Sequence, residues 1–180
     1  MRRALASPRR SARASGESAA QWLARAGERD IARVIAELGE DRFARRIARA
    51  IVAARAEAPI VTTGQLAAIV AAAVPTREPG KHAATRTFQA LRIHVNREIE
   101  RLDAFLAAAL AHCAVLARLV VISFHSLEDR IVKHTFRALA QEGGVPCRVL
   151  TRKPVSPGDE ECEANPRARS AHLRAIERTA

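Results

Sequence analysis

Leu119-Val120-Val121-Ile122-Ser123-Phe124-His125-Ser126-Leu127-Glu128-Asp129-Arg130 is the stretch in which the hydropathy pattern changes period. Leu119 to Phe124 is a short, continuous apolar run rich in β-branched residues, the pattern of a buried strand. Ser126, Glu128 and Asp129 then bring a capping hydroxyl and negative charge, both of which favour a helix N-terminus. A buried strand that turns directly into a helix predicts an α/β fold.

Upstream of this stretch the period is helical. Ser18 can cap a short helix through Trp22 and Leu23. Ile31, Val34, Ile35 and Leu38 form the stripe of a second helix that stops at Gly39. Phe43, Ile47, Ile51 and Ala54 form a third, whose other faces carry Arg42, Arg45, Arg46 and Arg49 as a solvated surface. Thr62-Thr63 starts a fourth, closed by Pro75, and residues 77–82 read as a loop. One long helix then carries Phe88, Leu91, Val95, Ile99, Leu102, Leu106 and Leu110 on one side. Downstream, the helix begun at Ser126 runs to about Gln141 and stops at Gly143-Gly144. Residues 145–152 and 171–178 alternate as strands, with Pro154, Pro157 and Pro166 in the loops between them.

Hydrophobic residues are 48% of the 180, enough for a folded core, but aromatics are only 3% and Tyr is absent. Much of the apolar content is Ala, so the core is expected to be thin. The formal charge of +11 favours an anionic partner, nucleic acid first. Five arginines in residues 1–14, unaccompanied by any acid, account for part of it; +6 remains without them. That segment has no apolar periodicity and reads as a disordered basic tail. It lacks the apolar centre of a signal peptide, although its Arg-, Ser- and Ala-rich composition also fits a transit peptide. Cys113, Cys147 and Cys162 are far apart and form no CxxC pair, which points away from zinc or disulfides and fits a reducing cytoplasm. The longest apolar run, near Leu66 to Val74, is too short to span a bilayer.

Three strings carry a resemblance. They are Gly80-Lys81-His82-Ala83-Ala84-Thr85-Arg86-Thr87-Phe88-Gln89-Ala90-Leu91-Arg92-Ile93, Val121 to Lys133, and Glu163-Ala164-Asn165-Pro166-Arg167-Ala168-Arg169-Ser170-Ala171-His172-Leu173-Arg174. In this order, with weaker similarity between them, they resemble the bacterial 16S rRNA cytosine-N4 methyltransferases, the MraW-like family, over roughly residues 15–179. The resemblance implies part of a Rossmann-like class I methyltransferase core with a mostly helical inserted domain. Residues 15–100 would be the inserted domain, on the substrate side, and 101–180 the last strands and helices of the core. It also implies S-adenosylmethionine as methyl donor, 16S rRNA or the small ribosomal subunit as partner, a cytidine of the decoding region as target, and a cytoplasmic location.

Two departures qualify these expectations. The sequence has no GxGxxG-like strand-turn-helix segment, the device that brings backbone N–H groups to such a donor. Ala114-Val115-Leu116-Ala117 also stands where the family has a Pro-Gly-Gly turn. The chain is therefore expected to lack the donor-binding half, as from a truncated or frameshifted gene, and to bind no S-adenosylmethionine or metal by itself. The alternative reading is a non-catalytic RNA-binding remnant. An apolar sheet edge left open would favour self-association.

The candidate site residues follow from the matched strings. At the strand-to-helix turn, His125 would contact the target base or accept a proton and Ser126 would bond the base edge, with Arg130 holding phosphate. The bland alternative is that Ser126, Glu128 and Asp129 cap the helix and Arg130 pairs with an acid. Lys81, His82, Thr85, Arg86 and Arg92 are candidates for phosphate contact at a loop and helix start; a solvated face capped by Thr85 is the alternative. Asn165, Arg167 and Arg169 would either close over RNA or order a turn. Trp22 is expected in the core, and His94, His112, His134 and His172 are read as structural.

Overall fold

The computed structural model describes residues 16–75, 82–142 and 144–180. The basic-tail reading of residues 1–14, Lys81 and most of the expected loop over 77–82 lie outside the described residues. The chain divides into two compact units, one ending at Glu98 and the other running from Ile99 to Ala180.

The first unit is helical: α1 (Ala19–Arg25), α2 (Glu28–Gly39), α3 (Ala44–Glu57), α4 (Thr63–Ala73) and α5 (Thr85–Asn96). Reciprocal capping boxes start two of them. Ser18 Oγ accepts from the Gln21 N–H while Gln21 accepts from the Ser18 N–H, and Thr62 with Gln65 does the same for α4. Leu23, Ile31, Ile35, Ile47, Ile51, Leu66 and Leu91 are at most 2% exposed and form the centre of the core. Each such side chain stabilises the fold by about 2 kcal/mol. Trp22 belongs to this core, its ring 4.5 Å from that of His94.

The role of Gly39 departs from the sequence expectation. It is the last residue of α2, and the left-handed position that ends the helix is Glu40, at φ 49°. A Cβ on Gly39 would lie 2.7 Å from the Arg86 carbonyl oxygen on α5. Glycine is needed here so that two helices can touch, not so that the chain can turn.

The single long helix expected from Phe88 to Leu110 is two. Helix α5 ends at Asn96, Arg97 and Arg101 take left-handed backbone angles (φ 53° and 59°), and α6 begins at Leu102. The apolar stripe continues across the break because its halves serve different cores: Leu91 packs in the first unit, Leu106 and Leu110 in the second.

The second unit comprises α6 (Leu102–His112), β1 (Arg118–Ser123), α7 (Ser126–Glu142), β2 (Cys147–Val149), α8 (Asp159–Ala164), a 3-10 turn (Pro166–Ser170) and β3 (His172–Arg178). The three-stranded sheet has the order β1-β3-β2, and both pairings are antiparallel. Among the described residues β1 therefore pairs on one edge only, with β3, and has no parallel neighbour. The second expected strand is also shorter than residues 145–152. Beyond Val149 the Leu150 N–H still bonds the Ala175 carbonyl, but the Ala175 N–H donates to Thr151 Oγ1, a side chain standing in for the ladder.

One face of the sheet packs on the helices. Leu106, Leu110, Val132, Phe136 and Ile176 are buried there, with Leu119 and Val121 against them. The other face of β1 carries Val120 and Ile122, 50% and 55% exposed, and Phe124 beyond its end is 56% exposed. The strand expected to be buried is thus covered on one side only. No helix among the described residues is long and apolar enough to cross a membrane, and no group of His, Cys, Asp or Glu among them is placed to hold a metal ion.

Candidate functional site

The turn from β1 into α7 is internally satisfied to an unusual degree. The Phe124 N–H donates to Glu128 Oε2 at 3.1 Å, the Glu128 N–H to His125 Nδ1 at 3.3 Å, and the Asp129 N–H to the His125 carbonyl at 3.2 Å. The orphan N–H groups at the start of a helix make an anion site when they are open. Here the Asp129 N–H makes the first helical bond to the His125 carbonyl, while the Glu128 N–H is closed by the Nδ1 of His125. Its side chain is 7% exposed, and its Nε2 lies 3.2 Å from Glu128 Oε1, without hydrogen-bond alignment.

Behind the turn sits a buried ion pair. Arg174, on central strand β3, donates to Asp129 through Nε (2.6 Å) and Nη2 (2.8 Å), with the two side chains 6% and 15% exposed. This two-point bond to the Arg174 guanidinium holds the Asp129 carboxyl below the usual carboxylate range, outweighing the opposing effect of burial. His172 Nδ1 is 3.9 Å from the same carboxylate, too far to bond, and Ser123 Oγ donates to the His172 carbonyl at 3.3 Å. On the open face of the sheet, Glu177 (side chain 5% exposed) joins all three strands by accepting from Arg118 at 2.9 Å and Arg148 at 3.0 Å. Arg118 foremost, then Arg148, holds the Glu177 carboxyl low.

The candidate residues fall into two sets. In the second unit His125 is tucked into the turn, while Ser126 opens α7 and Arg130 lies one turn further, both exposed. Asn165 accepts from the Arg167 N–H at 3.3 Å and so starts the 3-10 turn, leaving Arg167 and Arg169 exposed. Because β3 runs antiparallel to β1, with His172 opposite Ser123, this Arg-bearing turn meets the sheet at the same end as His125. In the first unit His82 Nδ1 accepts from the Ala84 N–H at 3.1 Å, and the Thr85 N–H donates to the His82 carbonyl at 3.0 Å. Thr85 begins α5, but the cap position is Ala84. Arg86 donates to the Glu40 carbonyl at 2.8 Å and Arg92 pairs with Glu98 at 2.9 Å, so both already have partners within the fold.

Sequence reasoning missed Arg174 and Glu177. Each is a charge beside the apolar Leu173, Ala175 and Ile176 of the strand His172–Arg178, which was the available signal.

The fit of a sulfonium donor to this turn can be judged from its atoms. Such a donor is approached by a glycine-lined backbone with free N–H groups; here Phe124 and His125 carry side chains, and the Phe124, Glu128 and Asp129 N–H groups are taken. The residues of the β1–α7 turn do not form such a glycine-lined backbone.

A model of the MraW methylase family matches residues 9–179. Among curated relatives, the ribosomal RNA small subunit methyltransferase H of Dechloromonas aromatica is 53% identical over 176 residues, covering 91% of this chain and 57% of the relative. Its namesake in Cupriavidus necator is 54% identical over 185 residues, covering 92% and 56%. That of Methylibium petroleiphilum is 57% identical over 175 residues, covering 91% and 55%. The chain thus spans little more than half the length of these relatives.

Proposed function

Because the chain belongs to the MraW methylase family, we propose that it supplies the RNA-facing part of an S-adenosylmethionine-dependent rRNA methyltransferase. The target, on this reading, is N4 of a cytidine in the decoding region of 16S rRNA, met in the cytoplasm on the small ribosomal subunit. The observation that carries the proposal is one juxtaposition: the exposed Arg167 and Arg169 share a sheet end with the His125–Ser126 turn. Phosphate contacts from such arginines fix the register of a strand, and the turn meets a base that has left its stack. Arg130 adds a cation one turn along α7. His82, Thr85 and Arg92 are proposed to extend the RNA contact on the first unit, together with Lys81; Arg86 acts there by holding the end of α2 to α5.

By itself the chain is proposed to bind RNA and to transfer no methyl group, since the β1–α7 turn carries side chains where a donor is met by glycines. Incubating the chain with small ribosomal subunits and methyl-labelled donor tests both halves. RNA binding without label is expected. Label incorporated by the chain alone would sink the second half, and absence of RNA binding the first. The open face of β1 is further proposed to drive self-association.

A further inference from the structure

A concave surface lies along α7. It is a hollow of about 460 Å³ between α7 and β2, and its lining includes Lys133, Arg137, Arg148, Arg152 and Arg174 but no acid. Two acids of the adjoining elements are already neutralised: Asp129 by Arg174, and Glu177 by Arg118 and Arg148. Arg137 and Arg152 take part in no ion pair or hydrogen bond among the described residues. Lys133 and Arg137 stand one helical turn apart on the same face, an arrangement of like charges that slightly disfavours the helix. A packed fold that concentrates cations in a hollow, leaving two of them without a counter-charge, is built to accept an anion.

We propose that this hollow binds phosphate groups of the RNA backbone, with Lys133, Arg137 and Arg152 as the contacting cations. The fork geometry of arginine suits phosphate oxygens. Arg174 lines the hollow while bonding Asp129 of the β1–α7 turn. A strand seated here is therefore held by the same element that orders the candidate site, so this inference rests on the RNA reading above.

The test is RNA affinity of the full chain, measured by fluorescence anisotropy on a labelled single-stranded RNA over a series of salt concentrations. The triple variant K133Q/R137Q/R152Q is expected to bind at least tenfold more weakly. The slope of log Kd against log salt should also fall by about two, since each lost phosphate contact removes about 0.7 from it. A control variant with Arg45, Arg46 and Arg49 of α3 changed to Gln should bind as the wild type does, and circular dichroism should find both variants folded. Arg152→Gln alone, in a loop, gives an independent reading with an expected loss of about threefold and a slope change of about 0.7. Wild-type binding with an unchanged triple variant would overturn this site alone, as would an equal loss in the α3 control. Inorganic phosphate competing as strongly as RNA at equal phosphate concentration would overturn the backbone assignment. No RNA binding by the wild type would remove both this site and the reading beneath it.

Discussion

Arg174 grips Asp129 through two nearly parallel hydrogen bonds of 2.6 and 2.8 Å, joining the central strand to the first turn of α7. Both partners are largely shielded from water, so neither charge has an alternative solvent shell. Removing one should cost more than removing both. Arg174→Met is expected to lower stability by about 3 kcal/mol, and the double variant D129L/R174M to recover most of that loss. Urea unfolding followed by circular dichroism measures both. Equal losses in the single and double variants would show that the pair is incidental.

Acid should attack the same unit. The Asp129 and Glu177 carboxyls titrate below their ordinary range because arginines hold them ionised. Their folded values lie below the unfolded ones, so the stability they add is fully present above about pH 4 and is lost as pH falls through the lowered values. Unfolding free energy is expected to stay level from pH 7 to 5 and to decline below about pH 4. Asp129→Asn should make that decline shallower. An unchanged acid limb in this variant would contradict the assignment.

Gly39→Ala offers a test of sign. In an ordinary helix interior this exchange stabilises by about 1 kcal/mol. With the new methyl group 2.7 Å from the Arg86 carbonyl, a loss of about 2 kcal/mol is expected instead. Thermal unfolding decides it, and a raised Tm would mean that α2 and α5 have room to part.

Ile122→Lys puts a charge on the uncovered face of β1. Sedimentation velocity is expected to find concentration-dependent association of the wild type and much less of it in the variant, with stability changed by no more than about 0.5 kcal/mol. Association of equal strength in both would place the contact elsewhere.

The helices were legible because their signals are local. Ser18 and Thr62 announce their caps, and the stripes through Ile31–Ile35 and Ile47–Ile51 are the buried faces. The β1–α7 turn was legible for the same reason. What stayed hidden depends on partners distant in sequence. Periodicity is blind to which core a residue joins, so the break at Arg97–Arg101 was not seen. Pairing depends on residues far away in the chain, so the antiparallel ladder of β1 with β3 was not read, nor the exposure of one face of a strand expected to be buried. His125 stands at the strand-to-helix turn, and its bond as acceptor for the Glu128 N–H was not legible in the sequence. Lys133, Arg137 and Arg152 are scattered over 20 positions, and only the packing of α7 on β2 gathers them.

The middle position in the sheet belongs to β3, the strand the ribosome makes last of the three. Until Arg178 has cleared the exit tunnel, β1 and β2 have nothing to join them, and Asp129 waits uncompensated for its arginine. The helical unit ending at Glu98 can close while synthesis continues, but the sheet is completed in one late event. In the interval between them, the apolar faces of β1 and α7 lack the strand that covers them.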